Sequence, residues 1–395
     1  MNKQLSLLVA VLAGFPIVTQ ADEAPATPAA AAPAAAPAAP TLGAVLGASN
    51  ISLTGYVDAT YTYFDKGVPG GGSYEPERQF DYRKNSFVLN QAAITASYLP
   101  ASGFGGLVNL IAGSDGKVLR NSEITDGGST DSQFDLYQAY GQYATGPITL
   151  MAGKFATLAG AETVNPTTDT VISRSLLFYN LEPLSHTGVR ASYAASMVTL
   201  TAGVNNGWNY TSAPMDTNTG KTINSKTVEL GISASPTKMF SISGAIYTGD
   251  APLAGVPSGS GHGRKDLYDL VATINATDAL SFVINGDYVT QDDFTATGGS
   301  VSAYGIAGYV NYAINPEWSV TLRGEYLDDK DGALTGNYPN SNKLKEGTLA
   351  LNYTPAKNVI LKGEYRHDTS DVALFDTNGT SKSQNSVELE AIYKF

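Results

Sequence analysis

Ser52-Leu53-Thr54-Gly55-Tyr56-Val57-Asp58-Ala59-Thr60-Tyr61-Thr62-Tyr63 decides the architecture of this chain. Leu53, Gly55, Val57, Ala59, Tyr61 and Tyr63 occupy one set of alternate positions, and Ser52, Thr54, Tyr56, Asp58, Thr60 and Thr62 the other. Successive side chains of a strand point to opposite faces. The segment therefore has one apolar or aromatic face and one polar face. The closing stretch repeats the arrangement, with Val387, Leu389, Ala391, Tyr393 and Phe395 set against Glu388, Glu390 and Lys394.

Sixteen segments fit this template, at about 51–64, 86–98, 105–112, 134–143, 148–155, 186–194, 198–205, 227–235, 240–247, 266–276, 280–289, 302–312, 318–327, 344–353, 359–367 and 385–395. Their connections alternate in length. Short ones such as Ala144–Pro147, Pro236–Met239 and Thr354–Asn358 carry tight-turn residues. Long ones begin near 65, 113, 156, 206, 248, 290, 328 and 368 and hold most of the Gly, Asp, Asn and Ser. An even strand count with alternating short turns and long loops predicts an all-β fold: a transmembrane antiparallel up-and-down β-barrel of about sixteen strands, give or take one hairpin.

Composition agrees. The 395 residues include 41 Gly and 23 Tyr, and 43% are hydrophobic. Only 15% are charged, below the roughly 25% of an ordinary soluble domain. Net charge −12 argues against a nucleic-acid partner. Cysteine is absent, and His186, His262 and His367 lie far apart, so neither a cofactor nor a Cys/His metal centre is expected.

Lys3, the apolar run Leu5 to Val18 and Thr19-Gln20-Ala21 predict that 1–21 is a signal peptide cut after Ala21. Residues 22–50 are expected to be an Ala/Pro-rich periplasmic linker, because Pro25, Pro28, Pro33, Pro37 and Pro40 prevent a continuous helix. The barrel then occupies 51–395. No apolar run of 18 residues follows the leader, so strands must make the crossing.

The apolar faces test this reading. Lys or Arg at the midplane of a barrel costs about 2–4 kcal/mol, falling to nearly nothing at the interfaces. Among these faces the pattern leaves only Lys154, Lys345 and His367, each at a long-loop end where its head is expected to reach the lipid headgroups. Tyr98, Tyr143, Tyr193, Tyr312, Trp318 and Tyr353 gather by the short turns. Tyr63, Tyr268, Tyr288, Tyr304 and Tyr326 gather by the long loops. Two aromatic girdles mark two membrane interfaces.

Certain blocks carry a family likeness: the opening Ser52 to Asp58, Gly153-Lys154-Phe155 leading to Asn165-Pro166, Ser173-Arg174-Ser175-Leu176-Leu177-Phe178, His186-Thr187-Gly188-Val189-Arg190, and the terminal Tyr393-Lys394-Phe395. In these blocks the chain resembles the OmpL-like β-barrel porin family (porin-2 type), over nearly all of 51–395. The resemblance implies a pore in the bacterial outer membrane and recognition of Phe395 by the barrel-assembly machinery. Outer-membrane lipid and lipopolysaccharide would surround it, and a homo-oligomer is compatible with it.

A barrel of this size is too wide for side chains to fill and leaves an aqueous channel. Alternation assigns Asp58, Glu229, Asp269, Asp287, Glu325, Glu346, Glu364, Glu388 and Glu390 to the inside, with Arg190, Arg323, Lys362, Arg366 and Lys394. Nine acids against five bases predict a lumen leaning towards cations. The last four strands concentrate these charges, either as a wall of ion pairs or as a transverse field across an eyelet.

The third long loop, 156–185, carries Leu158, Val164, Val171, Ile172, Leu176, Leu177, Phe178 and Leu181, which suit open water poorly. It is expected to fold into the lumen and narrow the pore, presenting Glu162, Asp169 and Arg174 to a solute. The alternative is that it lies over the mouth or against a neighbouring subunit.

The expected function is passive diffusion of small hydrophilic solutes and ions. The competing classes are a non-conducting adhesin or structural barrel and an outer-membrane hydrolase. The latter would need Ser185 with His186, or His367 with Asp368, and strand neighbours point to opposite faces. Asp328-Asp329-Lys330-Asp331-Gly332 has the flavour of a calcium loop but lacks the closing Glu.

Overall fold

The computed structural model describes residues 41–66, 77–122, 131–216, 218–252, 262–294 and 299–395. The expected signal peptide and the proline tract of the linker lie outside the described residues. Past Pro40, the end of the stretch read as linker forms helix α1, Leu42–Ser49. Its eight residues contain no proline to interrupt the backbone hydrogen bonds.

The strands are β1 Ser52–Phe64, β2 Ser86–Tyr98, β3 Gly103–Ala112, β4 Phe134–Thr145, β5 Ile148–Ala156 and β6 Ser185–Ala195. They continue as β7 Val198–Asn205, β8 Thr227–Thr237, β9 Phe240–Pro252, β10 His262–Asn275 and β11 Leu280–Gln291. The last are β12 Val301–Ala313, β13 Trp318–Asp329, β14 Asn342–Ala356, β15 Val359–Ser370 and β16 Ser383–Lys394. Each pairs antiparallel with its sequence neighbour, and β1 closes on β16 to complete a sixteen-stranded barrel. Val57 stands opposite Tyr393, and Tyr61 opposite Leu389. Closure leaves no open edge, the condition for a sheet in hydrocarbon. At the seam Gly55 and Phe395 exchange two backbone hydrogen bonds of 2.9 Å. A Cβ on Gly55 would lie 2.5 Å from the Phe395 ring and 2.7 Å from the backbone carbonyl oxygen of Ala93, so glycine lets the terminal aromatic pack beside the ladder.

Several strands outrun the apolar pattern on the long-loop side. In the β9–β10 hairpin the ladder continues to Pro252 opposite His262. Backbone hydrogen bonding does not stop where the side chains leave the apolar band, so a polarity reading ends these strands early. Outward positions carry exposed apolar residues, among them Leu230, Leu270, Leu322, Leu349 and Leu389. Lys345 and His367 also face outward.

Lys154 does not. It is buried, with Nζ 3.2 Å from Asp135 Oδ2 on β4. Gly153 has φ +133°, and a Cβ there would meet the Ala139 carbonyl oxygen at 2.3 Å. This kink interrupts the pleat of β5, after which Lys154 and Phe155 are both buried. Alternation counted straight through the glycine sends Lys154 to the headgroups, and the break in the pleat corrects that expectation.

Among the described residues two helices stand in the loops: α2, Ser114–Ser122, packed on β2, β3 and β4, and α3, Leu176–Asn180, in the third long loop. Ser175 caps α3, its Oγ accepting from the Phe178 N–H at 3.0 Å. The segment between β5 and β6 contributes to two apolar clusters. Leu176, Leu177 and Leu181 pack with Tyr247, Leu267, Ala307 and Leu327 of the wall. Val164, Phe178 and Leu184 pack with Tyr56, Ile111, Tyr137 and Ile392. Each large apolar side chain buried in this way contributes about 1.5–3 kcal/mol over leaving it in water.

Candidate functional site

The inward-facing acids and bases surround the segment between β5 and β6, and their partners show how it is held. Gly160 N–H donates to Asp269 of β10 at 3.2 Å, and Ala161 N–H to Asn285 of β11 at 2.8 Å. Farther along, Leu176 N–H donates to Glu325 of β13 at 2.8 Å, and Ile172 N–H to Glu364 of β15 at 2.6 Å. Ser173 also bonds Glu364, through both N–H and Oγ. Lys362 donates to the Pro166 carbonyl at 2.8 Å, and Arg366 to the Arg174 carbonyl at 2.6 Å. One stretch of chain therefore reaches inward-facing side chains on β10, β11, β13 and β15. Carboxylates bond the peptide N–H groups of the loop, and basic side chains bond its carbonyls. This satisfies backbone groups that could not otherwise be buried.

Arg323 is the hub. Its buried guanidinium lies 2.7 Å from Glu162 on the loop, 2.8 Å from Glu346 and 3.0 Å from Glu325. It also donates to the Ser173 carbonyl at 2.8 Å. Glu346 stands 3.7 Å from Arg366, which pairs with Asp368 at 2.7 Å. Lys362 pairs with Glu390 at 2.8 Å. Glu388 lies 3.3 Å from Arg78, and Arg78 also grips Asp81 and Asp368. Arg190 holds Glu229 bidentately, at 2.6 and 2.7 Å, and stacks over Phe155. Buried pairs of this kind are geometrically specific, and breaking one leaves an uncompensated charge.

The three loop charges are placed differently from the expectation. Glu162, Asp169 and Arg174 are 6%, 9% and 3% exposed, so they do not stand in open water. Glu162 bonds Arg323 and Tyr309; Arg174 bonds the Thr163 carbonyl and lies 3.1 Å from Asp169. They brace the loop. Burial pushes the Asp169 carboxyl up to about 7, against the opposing pull of Arg174.

Loop residues that alternation cannot register join the cluster: Arg78 and Asp81 from the first long loop, Asp115 from α2, and Glu182 just after α3. Glu182, Asp269 and Asp287 bring carboxylate oxygens within 4.8 Å of one another. Of the residues weighed for hydrolysis, Asp368 pairs with Arg78 and Arg366, and His367 Nδ1 lies 2.8 Å from Asn385 Oδ1. The His186 ring stacks on Tyr247 with centroids 4.5 Å apart, and its Nδ1 faces the Gly207 carbonyl at 3.0 Å. The carboxylate of Asp329 accepts from the N–H groups of Ala333, Leu334 and Thr335, bracing its own loop.

Towards the short turns the inward positions become small and hydroxylated. Ser192, Thr199, Thr201, Ser241, Ser243, Thr273, Ser281 and Ser319 are only half-buried. Charge is thus gathered around the folded-in segment, and a neutral polar surface lies on its short-turn side.

Several solved structures share this fold. The outer-membrane channel DcaP of Acinetobacter baumannii is 16% identical, with a TM-score of 0.59 over 87% of this chain and 97% of that one. An anion-selective porin from Comamonas acidovorans is 11% identical, with a TM-score of 0.61 over 87% and 99%. OmpT of Vibrio cholerae in its trimer form is 12% identical, with a TM-score of 0.58 over 87% and 99%. No curated protein sequence matches the chain. Residues 50–395 match the family model described as Putative beta-barrel porin-2, OmpL-like. With a closed sixteen-stranded barrel and a match across its whole length, the chain belongs to the OmpL-like β-barrel porin-2 family, whose place is the outer membrane.

Proposed function

We propose that this protein is a passive diffusion channel for small hydrophilic solutes and ions, narrowed by the segment between β5 and β6 and mildly selective for cations. The observation that carries the reading is the path of residues 157–184, hydrogen-bonded to inward-facing side chains of four strands. A segment held across a barrel interior reduces the cross-section open to solutes. The half-buried Ser and Thr positions offer hydrogen bonds to a hydrated solute without a charge to trap it. The cation preference rests on the balance of inward-facing charge, nine acids against five bases, in which Arg190, Arg323, Lys362 and Arg366 are each matched by an acid. The exposed Phe395 ring is the feature offered to the barrel-assembly machinery.

Conductance of refolded protein in planar bilayers tests the channel, and the reversal potential in a salt gradient tests its sign. A chain shortened by 160–178 is expected to conduct more per channel. An unchanged conductance removes the constriction, and strong anion selectivity overturns the charge assignment.

A further inference from the structure

Every buried acid around Arg323 has a base or several N–H donors facing it. The group formed by Glu182, Asp269 and Asp287 does not. Asp269 and Asp287 are directly opposed on β10 and β11, and Glu182 comes from the folded-in segment. The three are 7%, 6% and 4% exposed. The donors within reach serve the outer oxygens. Gly160 N–H and Asn285 Nδ2 bond Asp269 Oδ2 at 3.2 and 2.9 Å, and Asn285 Nδ2 lies 3.4 Å from Asp287 Oδ1. Both oxygens of Glu182, with Asp269 Oδ1 and Asp287 Oδ2, are buried, meet no N–H or hydroxyl donor, and lie within hydrogen-bond reach only of one another's carboxyl groups. Among the described residues no ion pair reaches any of the three.

Desolvated carboxylates turned towards one another repel strongly and need a positive charge or protons between them. The space is kept open for Glu182: Gly160 has φ +93°, and a Cβ on it would lie 1.9 Å from Glu182 Oε2.

The donor set selects the ion. It is all carboxylate oxygen, which suits a hard cation rather than zinc or copper. Oxygens about 2.3–2.6 Å from a common centre stand at most about 5 Å apart, and these lie within 4.8 Å of one another. A buried, irregular, bidentate-capable set favours calcium over magnesium, which keeps its waters and demands an octahedron. We infer that Glu182, Asp269 and Asp287 form a calcium-binding site that pins the returning arm of the inward segment to β10 and β11. The ion converts a local charge of −3 to −1 and replaces mutual repulsion by a shared ligand. The site requires the observed path of the loop and does not depend on conduction.

The test uses full-length protein refolded in lipopolysaccharide-free detergent, stripped with EDTA, desalted and titrated with calcium chloride in a calorimeter. Wild type is expected to bind one more calcium per chain than Glu182→Gln/Asp287→Asn, and magnesium at least tenfold more weakly. Calcium should also raise the temperature at which the folded, fast-migrating gel band is lost, in wild type only. Should the double variant fail to fold, Asp287→Asn alone serves as the comparison. Absence of saturable binding in wild type overturns the site and leaves shared protons as the balance of charge. Equal binding by wild type and variant overturns it as well. No current is measured, so failure here is separate from failure of the channel.

Discussion

Arg323→Met is the perturbation that best separates a folded-in loop from a decorated wall. The guanidinium is buried and contacts three carboxylates at 2.7, 2.8 and 3.0 Å. Glu162 and Ser173 belong to the loop, Glu325 and Glu346 to the wall, so the residue binds one to the other. Methionine fills much of the volume without charge or donors. Removing one partner of a buried pair costs about 3–5 kcal/mol. The cost falls on the docked loop, because undocking lets water reach the three acids. The ratio of docked to undocked loop should drop by about a hundredfold to several thousandfold. The strand ladder is untouched, so the variant should still form a heat-modifiable barrel. In planar bilayers it should show higher mean conductance and long-lived high-conductance levels. Adding Glu162→Gln should recover part of the loss, since contacting residues couple. A folded variant with the wild-type conductance histogram refutes the anchoring role.

Leu389→Arg places a charge mid-strand on the outward face, where Leu389 is 55% exposed. It should cost about 2–4 kcal/mol in equilibrium refolding into lipid vesicles, and an effect below 0.5 kcal/mol would remove Leu389 from the hydrocarbon. Lys154→Met should destabilise the barrel by about 3–5 kcal/mol by stranding buried Asp135; a headgroup-facing lysine would give almost no change in the same titration. Asp169 in the third loop has its carboxyl pushed by burial up to about 7, and Asp115 in α2 up to about 6. Folded chain thus holds protons that unfolded chain releases near pH 4, so stability declines as pH rises from about 4 to about 7. Hydrogen exchange of 163–174 and 114–122, corrected for intrinsic rate, should show more protection at pH 5 than at pH 8, and the opposite order contradicts the placement of both acids.

The barrel was legible in the residues alone because a membrane wall imposes a strict rule on each strand. Hydrocarbon on one side and polar groups on the other force period-2 alternation. Leu53 to Tyr63 and Val387 to Phe395 display it without any neighbour being known. The inward placement of Arg190, Arg323, Glu325, Glu346, Lys362, Glu364, Arg366, Glu388 and Glu390 follows from the same rule. It fails locally at Gly153, where a positive φ interrupts the pleat and buries Lys154. It also says nothing about loops, so Arg78, Asp81, Asp115 and Glu182 could not be placed beside the wall charges.

Apolar residues between 158 and 181 are enough to say that this loop avoids water, because burial is a property of composition. Which strands it meets is decided by long-range contact: Glu162 finds Arg323, and Glu182 finds Asp269 and Asp287, across more than eighty residues of chain. Periodicity therefore determined the wall and its two solvents. Only the tertiary structure decided how the interior is filled, because pairing among buried charges depends on distances in space that no local pattern encodes.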